Sequence, residues 1–304
     1  MNQRSTPAKL SIAALSSAIL ALLLWSGTAI ANKIAVDYMD GLTAGVLRSM
    51  LAGACALVIA ISMKLPFPKS NSDRSLLFVS GVSSFAIWPM LLSMGISLTT
   101  AGHAALIMAM IPICTVLIMS ILRAKFPPSG WWIGALIALS ATTTLLSYRG
   151  FTLTAFADGS SITGDLLVLF GGVICAVGYV AGGKLAPKIG TFATTFWGLA
   201  LALIVLVPVF ILIAQRTHWQ AVPLRGWLGI AWLTLLSSLA GYVLWFFALG
   251  RGGIGRISSM QLIMPVVTLL AAVVVLDEKL SIFLGLICLM IVLGTFLAQY
   301  YADR

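Results

Sequence analysis

The sequence has little charge. Only 9% of its 304 residues are Asp, Glu, Lys or Arg, whereas 61% are hydrophobic. A soluble domain carries about 25% charged residues, so this chain cannot cover a water-facing surface, and a soluble enzyme is excluded first. Acids are scarcest, 8 in all. Asp37, Asp40, Asp73, Asp158, Asp165, Asp277, Glu278 and Asp303 fall in connections or at the ends of apolar runs, never in the middle of one. Proton- and sodium-coupled carriers commonly hold their ion on an acid near the bilayer centre. Strong ion coupling is therefore disfavoured, although backbone carbonyls at broken helices remain as cation ligands. The four cysteines, Cys55, Cys114, Cys175 and Cys288, each lie inside an apolar run with no CxxC and no nearby histidine. They read as packed apolar residues, which excludes disulfides and metal ligation. Nucleophiles and acids do not cluster in the runs, so intramembrane catalysis is not expected, and neither a cofactor nor a metal is.

What is abundant is apolar sequence in spans of membrane-crossing length, roughly 20 residues each. Ten runs are expected as helices: about 10–31, 42–63, 75–97, 102–122, 130–147, 164–186, 191–214, 226–249, 256–275 and 281–301. The fold class is therefore all-α, a polytopic membrane protein with ten transmembrane helices. The first run lacks a small-residue cleavage site after it and reads as a span, not a removable signal. The 18 Lys and Arg give a net charge of +10, but they are scattered singly, which suits anionic lipid and membrane orientation. Nucleic acid is excluded as a partner; membrane lipids and a small-molecule substrate are expected. With ten crossings, twelve of the cations fall on the face that holds both termini and five on the other. The positive-inside rule then puts both termini in the cytoplasm.

The longest polar connection, about Tyr148–Thr163, follows the fifth run. It divides the chain into 1–153 and 154–304, each with five spans, so the second half enters the membrane from the opposite side, as an inverted repeat. An offset of 153 positions lays Gly102–Pro112 (GHAALIMAMIP) over Gly255–Pro265 (GRISSMQLIMP), and pairs His103 with Arg256. An offset of 151 pairs Lys33 with Lys184 and Gly27 with Gly178.

Trp25, Ser26, Gly27 and Lys33 end the first run, Arg48 stands early in the second, Pro112 and Pro265 interrupt the fourth and ninth, and Glu278 precedes the tenth. The order and spacing of these features together resemble the drug/metabolite transporter superfamily, specifically the EamA family. The resemblance covers nearly the whole chain. It implies a carrier of small metabolites in a bacterial inner membrane, with the central cavity made by helices one to four and six to nine, and five and ten peripheral. Relatives implied by it include exporters of amino acids, aromatic ones among them. One departure is visible: where the family pattern has a second glutamate after the fourth helix, this chain has Lys125. The function expected is export of small metabolites, amino acids first, by alternating access in which the two halves rock about a midplane cavity. The alternatives are proton-coupled export of drugs or nucleosides and a non-transporting scaffold. A monomer is expected, with a dimer as the alternative.

Candidate site residues follow from the same scan. Arg48 lies about six residues into the second run, roughly 9 Å along a helix; it either attracts a substrate carboxylate or snorkels to the interface. His103 opens the fourth run and either titrates at the site or serves as an interfacial hydrogen-bonding group. Trp25, Trp88, Tyr179, Trp197, Tyr242 and Trp245 are deep aromatics able to stack on an apolar solute, whereas Trp131, Trp132, Trp219 and Trp227 sit at run ends as interfacial belt residues. Met108, Ser259 and Gln261 would supply adaptable and polar contacts. Pro112 and Pro265 remove a backbone hydrogen bond at matching places, which points to gating. Lys33 and Lys184 are expected to end the first helix of each half. Gly41 with Gly45, and Gly178 with Gly182, have the spacing of close helix packing.

Overall fold

The computed structural model describes residues 11–99, 104, 107–148, 161–264, 266–267 and 282–302. Among the described residues, ten helical segments follow in chain order. They are α1 (Ile12–Val36), α2 (Gly41–Ser62), α3 (Asn71–Leu98), α4 (Ile111–Leu122), α5 (Ser129–Tyr148), α6 (Ile162–Ile189), α7 (Thr191–Ala214), α8 (Leu224–Gly252), α9 (Ile254–Ser259) and α10 (Ile282–Tyr301). Among the described residues, α1, α2, α3, α6, α7 and α8 are each long and apolar enough to cross a membrane. A lipid interior offers backbone groups no water, which is why runs of this composition satisfy themselves as helices. Polar residues mark the starts. Ser11, Asp40, Ser70 and Ser161 each accept a backbone N–H from the first turn of α1, α2, α3 and α6. One-residue joints link α6 to α7 and α8 to α9, at Gly190 and Gly253, whose φ of 92° and 86° favours glycine.

Two boundaries differ from expectation. α1 runs to Val36, with a break at Gly27, where a Cβ would stand 2.7 Å from the Trp232 ring. Helix α6 continues past Lys184 to Ile189, so Lys184 does not end it. The base in its last turn is Lys188, whose Nζ donates to Asp73 Oδ1 at 2.6 Å.

Backbone-close packing joins the first five helices to the last five. A Cβ on Gly53 (α2) would meet Leu199 O (α7) at 2.6 Å, and one on Gly95 (α3) would meet Gly164 O (α6) at 2.8 Å. On Gly229 (α8) it would meet Ala31 O (α1) at 2.9 Å, and on Gly134 (α5) Gly294 O (α10) at 2.6 Å. Gly41 and Gly45 close α2 onto α3, and Gly178 and Gly182 close α6 onto α3 and α8, as their spacing suggested. Helices α3 and α6 are antiparallel, because they are tied at both ends. Asp73 meets Lys188 at one end; at the other, Thr99 Oγ1 donates to Asp165 Oδ1 at 2.6 Å and Ser161 N to Leu98 O at 3.1 Å. The central core draws on α1 to α4 and α6 to α9, while α5 and α10 pack with each other in separate clusters.

Two helices are wound wide at matching places. Gly81–Ile87 in α3 and Trp232–Ala240 in α8 are π-helical. The first ends with Trp88 N donating to Ser83 O, and the second with Gly241 N donating to Leu236 O, the same five-residue bond 153 positions on. In α3 the cause is local: Pro89 has no N–H for the α-helical bond. Two tight turns match likewise. Ile107 O accepts Met110 N just before α4, and Met260–Ile263 is a 3-10 turn after α9. Pro112 therefore stands at the start of α4, following an interruption, and not inside a continuous helix. Its counterpart Pro265 lies outside the described residues.

Candidate functional site

Four of the aromatics singled out in the sequence converge. Trp25 (α1) stacks on Tyr179 (α6) with centroids 6.2 Å apart, and meets Tyr242 and Trp245 (α8) at 5.3 and 5.2 Å. Tyr179 lies 5.7 Å from Trp245. Phe85 (α3) closes the group edge-on to Tyr242 at 4.6 Å, with Phe246 at 5.9 Å. All six rings are buried. Edge-to-face and offset pairs of this kind contribute about 0.5–1.5 kcal/mol each beyond area burial.

The π turns hold this aromatic box by its polar atoms. Wide winding redirects the Trp88 amide from Ser84 O, and Ser84 O instead accepts the Tyr242 hydroxyl at 2.9 Å. In α8, Ser237 O accepts Trp25 Nε1 at 2.9 Å. The two acceptors stand 153 positions apart, so each repeat supplies one. Gly241 makes room for this: a Cβ there would overlap Trp25 Nε1.

Arg48 is placed beside the box. Its side chain is 2% exposed, and Nη2 donates to Ser237 Oγ at 3.3 Å and Ser238 Oγ at 3.2 Å. Its Nε and Nη1 are buried without a partner. Snorkelling is thus excluded in this conformation. Ser237 also shares a hydrogen bond of 3.0 Å with Thr28, whose carbonyl accepts Asn32 Nδ2; Asn32 Oδ1 in turn accepts Ser93 Oγ at 2.6 Å. A buried polar seam therefore runs from α2 through α8 and α1 to α3. Ser237, Ser238, Thr28, Asn32 and Phe85 were not singled out from sequence. The available signal was the hydroxyl pair Ser237–Ser238 lying, at the 153 offset, opposite Ser84 and Phe85.

The other candidates fall elsewhere. Gln261 is buried beside Tyr179, and its Oε1 has no partner. Trp88 is buried against α6, 3.0 Å from where a Gly171 Cβ would be, and does not belong to the box. Met108 is half-buried against the central core. Ser259 is engaged by a tryptophan expected at the interface: Trp131 Nε1 donates to Ser259 Oγ at 3.2 Å. Trp131 is fully buried, packed from α5 against α9, so its position at a run end did not leave it on the surface, whereas Trp132 is 37% exposed. Trp197 lies toward a helix end, where Nε1 donates to Leu65 O. His103 lies outside the described residues. Among the described residues, no group of three His, Cys, Asp or Glu could hold a metal ion. A peripheral cleft of about 190 Å³ is lined by Arg256, Phe296, Gln299 and Tyr300.

The comparisons with known proteins agree with this architecture. The sequence pattern of the EamA-like transporter family matches twice, at residues 12–147 and 162–300. The chain is 30% identical over 263 residues to an uncharacterized transporter, YdeK, of Bacillus subtilis (strain 168), covering 86% of this chain and 88% of the relative. It is 23% identical to a probable terminal-alkyne amino-acid exporter of Streptantibioticus cattleyicolor, over 87% of both chains. A crystal structure of 22% identity superposes with a TM-score of 0.73, covering 97% of this chain and 98% of that one, which shows the shared fold. Two successive family matches spread over ten helices leave one assignment: the chain belongs to the EamA-like transporter family, whose members are membrane transporters and not enzymes.

Proposed function

We propose that this transporter exports small, partly apolar metabolites of the amino-acid class by alternating access, without strong ion coupling. The observation that carries the reading is the buried box of Trp25, Tyr179, Tyr242 and Trp245, in which rings from both halves meet around one point. Solute pockets are mostly apolar and aromatic, with a few convergent polar groups, and Arg48 and Gln261 are those groups here. The box straddles two helix pairs: α1 with α8 contributes Trp25, Tyr242 and Trp245, and α3 with α6 contributes Phe85 and Tyr179. Separation of these pairs would open the box to one side at a time. The described acids, Asp37, Asp40, Asp73 and Asp165, all stand at helix ends, which supports movement down the solute's own gradient. A relative named as a probable amino-acid exporter supports the substrate class, and the cation bias supports cytoplasmic termini in an inner membrane.

Counterflow in proteoliposomes tests the reading. Vesicles loaded with unlabelled phenylalanine, tyrosine or leucine should take up the labelled solute transiently and saturably. Protein-free vesicles should not. If labelled amino acids never exchange faster through the protein than through bare lipid, the proposal falls.

A further inference from the structure

Arg48 is a cation closed off from water. Charged side chains within membrane-spanning segments are expensive and normally pair with an opposite charge or with backbone carbonyls. Among the described residues no carboxylate pairs with Arg48; its Nη2 rests on two neutral hydroxyls, and Nε and Nη1 have no partner at all. The ion pairs of the described residues are elsewhere, as in Lys33 with Asp37 and Lys188 with Asp73. Ser237 fixes where this cation stands relative to the rings. Its hydroxyl accepts from Arg48 while its carbonyl accepts from Trp25. One residue therefore sets a guanidinium with two N–H-bearing nitrogens in want of acceptors next to an aromatic box.

Resting on the transport reading above, we propose that the carboxylate is the obligatory group of the cargo, docked on Arg48 with its apolar body in the box, and that the ammonium group is dispensable. A carboxylate is planar and offers two charged acceptors, the match for guanidinium donors. No corresponding anion among the described residues awaits an ammonium. The acceptor without a partner beside the box, Gln261 Oε1, is neutral, so it can hydrogen-bond an N–H but does not offset the desolvation of a positive charge. The substrate class is then apolar and aryl carboxylates, with amino acids as one kind among them, and primary amines are excluded by the same cation that holds the acids. Ser237 and Ser238 are positioning residues: they aim the guanidinium and need not touch the cargo.

The test uses three solutes of one size against labelled phenylalanine counterflow in proteoliposomes, with protein-free vesicles correcting for passive leak. 3-Phenylpropionate should compete within about threefold of phenylalanine, while phenethylamine and phenylalaninamide should be weaker by about tenfold or more, the scale of one charged contact. The same order should appear in the ligand-induced shift of melting temperature of the purified protein, which needs no transport. Arg48→Gln should remove the preference for acids. Should that variant fail to fold, the Ser237→Ala/Ser238→Ala pair should narrow the acid-to-amine ratio severalfold, and an unchanged ratio overturns their positioning of the guanidinium. Equal or better competition by phenethylamine, or failure of 3-phenylpropionate to compete, overturns the carboxylate assignment and leaves the carrier intact. No exchange of labelled phenylalanine at all overturns the carrier reading and this inference together.

Discussion

Trp25 is where ring packing and the polar seam meet. Its indole touches three other rings and donates to Ser237 O, the residue that also holds Arg48. Trp25→Ala should cost about 3–5 kcal/mol, as deletion of a buried tryptophan does. Trp25→Phe keeps most of the ring but strands a buried carbonyl, at about 1–3 kcal/mol. Trp132→Ala removes a partly exposed ring, so its melting temperature and counterflow should stay near those of the parent. The order Ala below Phe below parent at position 25 checks the assignment. Gly241 gives a sharper probe. A methyl there must displace Trp25 Nε1, whereas one at Gly285 in α10 meets nothing within 4 Å. Gly241→Ala should reduce counterflow severalfold, and Gly285→Ala should leave it unchanged. Four rings of the box were legible from sequence, because large aromatics deep in runs one, six and eight can stack on one another or on a solute; Phe85 in run three was not. Ser237 and Asn32 were not, since a small polar residue in an apolar run looks the same whether it bonds its own helix or a neighbour. Trp131 misled for a related reason: position along a run gives depth in the membrane, but not which side of the helix faces protein.

At the scale of the helix, the interruptions matter more than the lengths. Ten runs could be read off hydropathy, and Pro112 marked where winding changes at the start of α4. The π turns left no such mark. In α3 the signal is Pro89, just after the wide segment, but in α8 the matching position is Tyr242, which has its N–H. The α8 turn is therefore held by its surroundings: Trp25 and Tyr242 are bonded on either side of it. This makes the two turns interdependent. Pro89→Ala restores an N–H whose α-helical acceptor is Phe85 O, which lets the Trp88 amide return to Ser84 O in competition with the Tyr242 hydroxyl, and Tyr242→Phe removes that hydroxyl. Each should lower the melting temperature alone. In a double-mutant cycle the pair should cost less than the sum, by about 0.5 kcal/mol or more, because both act on Ser84 O. Strict additivity would mean that the proline and the hydroxyl do not share an acceptor.

For the whole molecule, the repeat predicts two five-helix bodies rocking against each other, whereas the packing ties each helix to one in the opposite half. Helices α3 and α6 are tied at both ends, by Asp73 with Lys188 and by Thr99 with Asp165, and their backbones close at Gly95 and Gly164. Rocking of the halves would have to pull open either end of that seam in turn. The alternative motion, α3 with α6 moving against α1 with α8, opens neither end and breaks instead the contacts that span the box, Tyr242 to Ser84 and Asn32 to Ser93. Sequence reasoning could find the duplication but not this exchange of partners, since an offset between halves says nothing of which surfaces meet. Paired cysteines separate the two motions. In a background with Cys55, Cys114, Cys175 and Cys288 replaced, Asp73→Cys/Lys188→Cys and Thr99→Cys/Asp165→Cys can each be bridged by a short thiol cross-linker. Counterflow should survive both bridges at more than about half the uncross-linked rate, because gating by pairs leaves that seam shut. Loss of exchange on either bridge, reversed on reduction, would instead make the five-helix halves the moving bodies.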